Sequence, residues 1–250
     1  MENTPQETKR IAIIPPISFP IIIGCALIVS TLIGAVAFYR VRSFDNAVSV
    51  TGSATKEVTA DKVRWVSVIT RQTRVSMLKT SYAQMDADLA AVNAFLKQKG
   101  IQDSQLVVSP VSMDEVYDQN NGVGEKQYTL RQTFIINSDD VPGITNIAKN
   151  TNTLIDQGVI FSTQSLEYYY SKLPEERVAL LGDALVDAKA RAQKLAESTG
   201  KSVGTLKSAS SGVVQVTSAN SLEVSDYGAY DTSQIEKQIM VTVKASFTLK

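Results

Sequence analysis

The chain has 250 residues, in which 25 lysines and arginines balance 25 aspartates and glutamates. This neutral balance offers no basic face for nucleic acid, so no nucleic-acid partner is expected. The absence of histidine excludes Ser-His-Asp and Cys-His catalysis, histidine-ligated zinc and the usual general base near neutral pH. Because the only cysteine, Cys25, lies in an apolar segment, the polar part of the chain has no disulfide or thiolate metal site.

The first predicted element is an apolar helix at residues 19–39, a stretch without a charged side chain. A helix of this length rises ~31 Å, which matches the hydrocarbon core of a bilayer. A cluster of prolines places its beginning near Phe19, and Arg40 and Arg42 end it. We therefore predict four regions: an N-terminal tail (1–18), a transmembrane helix (19–39), a linker (40–47) and one large polar domain (48–250).

Two other interpretations of this segment stay open. Basic residues near its beginning and the sequence Ala35-Val36-Ala37 are arranged as in a cleaved signal peptide, although the apolar region is long for one. The four residues that end at Cys25 resemble a lipoprotein signal, but apolar rather than polar residues follow them. Because two basic residues lie on each side of the span, charge does not set its orientation.

Small residues recur every four positions along one face of the predicted membrane helix, at Ala26, Ser30 and Gly34. This spacing lets two helix backbones approach closely in lipid, so these residues are candidates for packing between anchors. The alternative is that small residues are simply common in membrane helices.

Hydrophobic periodicity predicts alternating strands and helices in the polar domain. A bulge or turn is predicted at Gly52 and at Ala60-Asp61, and a hairpin turn at Asn121-Gly122. The predicted elements up to Gly158 are strands at 48–51 and 62–73, a helix at 77–98 ended by Gly100, strands at 105–117 and 126–136, and a weaker helix at 141–157.

The second half begins with an aromatic strand and a long helix. Its predicted elements are a strand at 166–170, a helix that begins at Pro174 and ends before Gly200, a strand pair or bent strand at 203–217, a polar loop at 218–234 and an alternating strand at 239–249. The apolar seam of the long helix is predicted at Val178, Leu181, Leu185, Ala188, Ala192 and Leu195. Helices mixed with antiparallel strands predict an α+β fold after the membrane helix.

Tyrosines and carboxylates supply the remaining candidates. Tyr227 and Tyr230 in the polar loop are candidate partner contacts, with plain flexibility as the alternative. The neighbouring tyrosines at 168–170 favour sheet packing. Paired carboxylates could do acid–base work, but their helical positions favour solvated residues: Asp86/Asp88, Asp139/Asp140 and Glu175/Glu176.

A polar stretch at 118–125 resembles a calcium loop only superficially. An EF-hand needs glycine at its sixth position and glutamate at its twelfth, where this chain has Val123 and Thr129. The sequence therefore predicts no catalytic residue, no cofactor and no metal site.

Landmarks along residues 48–250 carry a family resemblance. They are Val48-Ser-Val50-Thr-Gly52 with Ala60-Asp61, Val108-Ser-Pro110, the alternating Tyr128 to Ile136, Asp139-Asp140-Val141, and Ala184 to Ala196 followed by Gly200 and Val203-Gly204. Together they resemble the SIMPL-domain family, whose bacterial members are mostly exported or membrane-anchored. The resemblance implies an α+β fold and an extracytoplasmic, periplasmic domain on the bacterial cytoplasmic membrane. The family offers no agreed catalytic motif to transfer.

The leading hypothesis is a non-enzymatic, membrane-anchored envelope protein that acts through homo-oligomeric assembly or protein contacts. The alternative is an extracytoplasmic module that binds a small molecule or peptide, which would need a deep pocket with a few polar groups. An enzyme would have to rely on carboxylate, lysine, serine or tyrosine chemistry, and a cleft carboxylate with a strongly raised pKa would indicate one.

Overall fold

The computed structural model describes residues 18–43, 46–116, 125–219, 221 and 227–250. Its first element is helix α1 (Ser18–Ser43), which includes the predicted apolar helix. Pro20–Tyr39 is the one segment of the described residues that is long and apolar enough to cross a membrane. Its large apolar side chains are all at least 46% exposed, so the polar domain does not bury them.

In the described residues, nine strands form two sheets. Their bounds are β1 Ala47–Thr59, β2 Lys62–Arg74, β3 Leu106–Val108, β4 Ser112–Val116, β5 Gln127–Ser138, β6 Phe161–Tyr169, β7 Val203–Ser218, β8 Ala229–Tyr230 and β9 Glu236–Leu249. The first sheet has the order β1-β9-β7-β8, and the second has the order β3-β5-β2-β6 with β4 also on β5. All pairs are antiparallel except β7 with β8.

Each sheet packs against its own helices. Helix α5 (Leu173–Glu197) lies on β1 and β9 of the first sheet. The helices of the second sheet are α2 (Leu78–Gln98), α3 (Val141–Lys149) and α4 (Asn152–Asp156). Trp65 and Phe134 are fully buried between these helices and the second sheet. The predicted α+β fold is confirmed.

The bulge or turn predicted at Gly52 is wrong, because β1 pairs with β9 without interruption from Ala47 to Thr59. Gly52 instead faces α5. A Cβ at this position would overlap the carbonyl oxygen of Ala184 and the backbone nitrogen of Ala188. The glycine therefore allows backbone contact between strand and helix.

The buried stripe of α5 differs from the predicted seam. Val178 is 70% exposed and Leu195 is 52% exposed, so both predictions are wrong. The buried residues recur every four positions: Leu180, Ala184, Ala188, Ala192 and Ala196. Because 3.6 residues make a turn, a stripe with this spacing drifts slowly around the helix and follows the twisted sheet. Leu181 and Leu185 are partly buried beside it.

Two predicted elements are each divided in the structure. The strand predicted at 105–117 becomes β3 and β4, separated at Pro110, which has no N–H for a sheet bond. The helix predicted at 141–157 becomes α3 and α4, because the side-chain amide of Asn150 donates to the backbone carbonyl oxygen of Asn146 at 2.7 Å and competes with the helical bonds. The turn predicted at Asn121-Gly122 lies outside the described residues.

Other predicted boundaries are confirmed. The turn at Ala60-Asp61 separates β1 from β2. Positive φ angles follow the helices at Gly100, Gly158 and Gly200. Region 203–217 is one bent strand, β7, with register shifts against β9. The core face of β9 alternates as predicted, with buried Ile239, Val241, Val243, Ala245 and Phe247.

Replacing Gly52 with alanine is expected to lower the free energy of unfolding by about 2–3 kcal/mol, because the added methyl group meets helix backbone that cannot rotate away. The fluorescence of Trp65, the only tryptophan and fully buried, reports unfolding of the full chain by urea in detergent micelles. The matched control is Gly182→Ala on the open side of α5. It is expected to raise the free energy of unfolding by about 0.5–1 kcal/mol, because alanine favours a helix more than glycine does. Equal stability of wild type and Gly52→Ala would contradict the packing role.

Candidate functional site

The chain crosses between the two sheets twice, after β1 and after β6. Both crossings lie against the segment that precedes β9, and we call this region the junction and define it as residues 59–62, 168–172 and 230–237. Backbone hydrogen bonds bind its segments together. Ala60 donates to the carbonyl oxygen of Ile235 at 2.9 Å, and Tyr168 donates to that of Thr232 at 2.8 Å. The junction therefore fixes one sheet against the other through hydrogen bonds as well as chain connections.

Tyr230 lies in the junction, on the short strand β8 within the predicted polar loop. Its hydroxyl accepts a hydrogen bond from the backbone nitrogen of Tyr170 at 2.8 Å. Its ring stacks on Tyr169 with centroids 5.9 Å apart and is 37% exposed. Tyr227 is 97% exposed. A partner contact at Tyr227 and Tyr230 stays a prediction, and Tyr230 also has a structural role.

Sequence reasoning did not identify Lys237, whose side chain is fully buried in the junction. Its ammonium donates to the carbonyl oxygen of Asp231 at 2.5 Å and lies 5.5 Å from the ring centroid of Tyr230. Burial lowers the pKa of Lys237, and the charge of Asp231 opposes that shift. Strand alternation contained the signal, because Lys237 lies two residues before the buried Ile239 and on the same face.

A hydrogen-bonded group surrounds Glu167 on the other side of the junction. The hydroxyl of Tyr169 donates to Glu167 at 2.7 Å, and the hydroxyl of Ser165 donates at 2.8 Å. Arg64 forms an ion pair with the same carboxylate at 3.0 Å. The bonds from Tyr169 and Ser165, with Arg64, hold the pKa of Glu167 below its usual range. This carboxylate therefore remains ionised rather than serving as a proton donor near neutral pH.

The interpretation of Asp88 as a solvated helix residue is wrong. Its side chain is buried and accepts two hydrogen bonds from Arg71 of β2, at 2.5 and 2.7 Å. Asp88 lies three residues after Met85 and four before Val92, both fully buried, so helical spacing contained the signal. The pair fastens α2 to the second sheet, while Asp86 on the same helix is exposed.

The other carboxylate pairs lie where helices begin. Asp140 accepts the backbone N–H of Gly143 in the first turn of α3, and Glu175 lies in the first turn of α5. Lys62 forms an ion pair with Asp139 at 2.5 Å, and Lys56 forms one with Glu176 at 2.6 Å. No group of three or more potential metal-ligating side chains occurs in the part of the chain that the structure describes. The segment compared with a calcium loop falls largely in the undescribed range 117–124.

The predicted packing residues of the membrane helix, Ala26, Ser30 and Gly34, are exposed along α1. A Cβ added at Gly34 would meet no atom within 4 Å. The face is therefore open to lipid or another helix, and its role in packing between anchors stays a prediction.

Among the described residues, only β8 pairs with the outer side of strand β7, and it does so only at Gln215 and Val216, so most of β7 is an edge of the first sheet. Residues 205–213 are exposed, including Leu206 at 46% and Val213 at 37%. Such an edge presents unpaired backbone groups that another strand can bind.

The opposite edge strand, β1, is capped by α5 near its middle. Asp187 accepts a hydrogen bond from the backbone nitrogen of Ser53 at 2.8 Å and another from Arg191 at 2.8 Å. The bond from Ser53, together with Arg191, lowers the pKa of Asp187. The two edges of the sheet therefore differ. The ionised Asp187 of α5 binds a backbone N–H of β1, whereas α5 contacts β7 much less.

A cleft of about 300 Å³ lies beside the junction, between α3 and the turn from β1 to β2. Ala60, Val141, Pro142 and Ile235 give it a largely apolar wall, and Lys149 contributes a cation at the end of α3. Three distant parts of the sequence form this cleft, so periodicity alone could not identify it.

Replacing Asp88 with asparagine is expected to lower the free energy of unfolding by about 1–3 kcal/mol, because it removes the charged acceptor from a buried pair with Arg71. Urea unfolding of the full chain measures the change. Asp86→Asn, on the exposed face of the same helix, is the control and is expected to change it by less than about 0.5 kcal/mol. Equal effects of the two substitutions would contradict a specific role for the pair.

Replacing Lys237 with methionine is expected to raise the free energy of unfolding by about 1–2 kcal/mol at pH 7, because an apolar side chain replaces a buried amine. Since the folded-state pKa of Lys237 is lowered, the unfolded chain binds more protons between that value and the ordinary 10.5. Wild-type stability should therefore rise relative to the variant as pH increases through this window.

Urea unfolding of both proteins at a series of pH values from 7 to about 10 measures this difference. The control is Lys244→Met, which changes an exposed lysine on the same strand. The higher stability of Lys237→Met should shrink as pH rises. If the difference in unfolding free energy stays constant with pH, ionisation of the buried amine is not its cause.

Comparison with known proteins places the fold in a family. The family model for SIMPL, described as a protein of unknown function (DUF541), matches residues 48–248. No curated protein matches the chain significantly. The match covers both sheets and most of the chain, and it agrees with the family resemblance of the sequence landmarks. The chain therefore belongs to the SIMPL family.

Proposed function

We propose that this protein is a non-enzymatic, membrane-anchored envelope protein that acts through homo-oligomeric assembly. The observation that carries the proposal is the edge of β7, most of which no described strand covers. Its exposed run at residues 205–213 includes the apolar side chains Leu206 and Val213. A second copy can pair with such an edge through backbone hydrogen bonds and cover these side chains at the same time.

Helix α1 supports anchoring in the bacterial cytoplasmic membrane. Its span Pro20–Tyr39 is as long as a bilayer core requires, and its apolar side chains have no covering within the described chain. Family membership supports an extracytoplasmic, periplasmic domain after a single pass. The open face of Ala26, Ser30 and Gly34 gives neighbouring anchors a surface for close packing.

The electrostatics of the domain support a non-enzymatic role. Every described carboxylate with a shifted pKa has it lowered. Hydrogen bonds or ion pairs hold these groups in place, as Ser53 and Arg191 hold Asp187 and as Tyr169 and Arg64 hold Glu167. Such groups serve structure rather than proton transfer.

A specific observation favours a second candidate function, that of a binding module. The cleft beside α3 has the volume of a small ligand site, and its wall is apolar with one cation. This function is compatible with assembly, because the cleft and the β7 edge are formed by different residues.

Light scattering of the full chain in mild detergent tests the assembly. Wild type is expected to form a discrete oligomer, and the double variant Leu206→Glu/Val213→Glu is expected to be monomeric, since charges on the edge repel a second copy. The matched control Val178→Glu/Val186→Glu places the same two charges on exposed positions of α5, and it should leave the oligomer intact.

The role of the anchor is separated by Gly34→Ile, which adds bulk to the small-residue face of α1. A monomeric wild type would refute the assembly hypothesis. An oligomer that survives the double edge variant but dissociates in Gly34→Ile would assign assembly to the membrane helix instead of β7.

A further inference from the structure

The cleft beside α3 has the shape of a short groove. Val141, Thr145 and Lys149 recur every four residues and line one side of it, along two turns of α3. At the helical rise this side extends about 12 Å. Ala60 and Ile235 form the facing wall, held to each other by a backbone hydrogen bond of 2.9 Å. Both walls are therefore fixed by secondary structure or by the junction.

Most polar groups in the groove are already bonded within the chain. The hydroxyl of Thr145 bonds to the carbonyl oxygen of Val141 at 2.7 Å and lies 3.0 Å from the hydroxyl of Tyr168. Asn146 accepts from Asn150 at 3.0 Å, and Thr59 donates to Glu236 at 3.0 Å. A ligand rich in hydroxyls or amides would find few available partners here.

Lys149 is the exception. It lies at the last residue of α3, lines the groove, and has no ion pair with any residue that the structure describes. An ammonium group supplies three donors and attracts a carboxylate. The groove therefore combines an apolar floor with one available cation at one end.

Charge at the other end limits the ligand further. Glu236 lies against Thr59, so a carboxylate borders the end of the groove that is formed by the turn from β1 to β2. A ligand with a second negative group would meet repulsion there. The charges therefore favour a ligand with one anionic end and one uncharged end.

We propose that this groove binds a small amphipathic monocarboxylate, with its carboxylate on Lys149 and its apolar chain along Val141, Pro142 and Ile235. The inference rests on the second function proposed above, the binding module. A volume of about 300 Å³ suits a short acyl or aryl chain. Eight residues line the groove, far fewer than the roughly 20–30 residues on each side of a stable protein interface.

Hexanoate is the probe, because it is short enough to remain mainly in water. The full chain is studied in lipid nanodiscs with its isoleucine methyl groups labelled for NMR. The signal of Ile235, assigned with Ile235→Val, reports the groove, and that of the exposed Ile160 is the internal control. We expect a saturable shift at Ile235 with a millimolar dissociation constant, and none at Ile160.

Two variants and one analogue test the chemistry. Lys149→Gln is expected to raise the dissociation constant of hexanoate about threefold, as the loss of an exposed ion pair does. It should not change binding of hexanol, which has the same chain without the charge. Asn146→Trp changes an exposed residue of the lining and should abolish the shift by filling the groove.

Three results would overturn the proposal. The absence of a saturable shift at Ile235 would show that the groove does not bind hexanoate, and it would also contradict the second candidate function. Equal binding of hexanol and hexanoate, unaffected by Lys149→Gln, would leave an apolar site and refute the monocarboxylate. A shift at Ile235 that depends on protein concentration without ligand would show that a second copy occupies the groove.

Discussion

The first sheet depends on the contact between Gly52 and the backbone of α5. No side chain separates strand from helix there, and Ala184, Ala188 and Ala192 are fully buried around the contact. Dispersion acts only at close range, so this contact is favourable because the two backbones touch and exclude water. Larger side chains at these positions would push the helix away from the sheet. The same approach lets Asp187 reach the N–H of Ser53 on the outer edge of β1.

The junction makes two separately packed sheets into one domain. Each sheet has its own apolar core, and the chain crosses between them twice, after β1 and after β6. Backbone bonds such as that from Asp61 to Tyr169, at 3.0 Å, tie the crossings together. The buried amine of Lys237 lies among them, where an aromatic ring and a carbonyl oxygen partly replace the water it has lost.

Local periodicity predicted the elements that depend on one face of a strand or helix. Strand β9 alternates as expected because one of its faces is buried on α5, and α2 and α5 occur where the apolar spacing changes. Periodicity failed where a polar residue occupied a buried position. Asp88 was interpreted as solvated and no prediction was made for Lys237, although the spacing of each residue places it on a buried face.

The candidate sites depend on pairing between distant segments. In the part of the chain that the structure describes, most of the β7 edge is open because β8 covers only two of its residues. The groove exists because α3 comes to lie beside Ala60 and Ile235. A single sequence contains no direct signal for either arrangement. The apolar span at Pro20–Tyr39 was predictable because it depends only on its own composition.

The connection between α1 and β1 has a mechanical consequence. Three residues after α1 ends at Ser43, the carbonyl oxygen of Asn46 accepts a hydrogen bond from the backbone nitrogen of Leu249, and β1 then runs along β9 for 13 residues. In the membrane-anchored form proposed above, tension from the membrane enters the domain along the axis of β1. The hydrogen bonds between β1 and β9 carry this load in shear, so they share it rather than break one after another. Gly52 and α5 lie across the same strand and add resistance to its sliding.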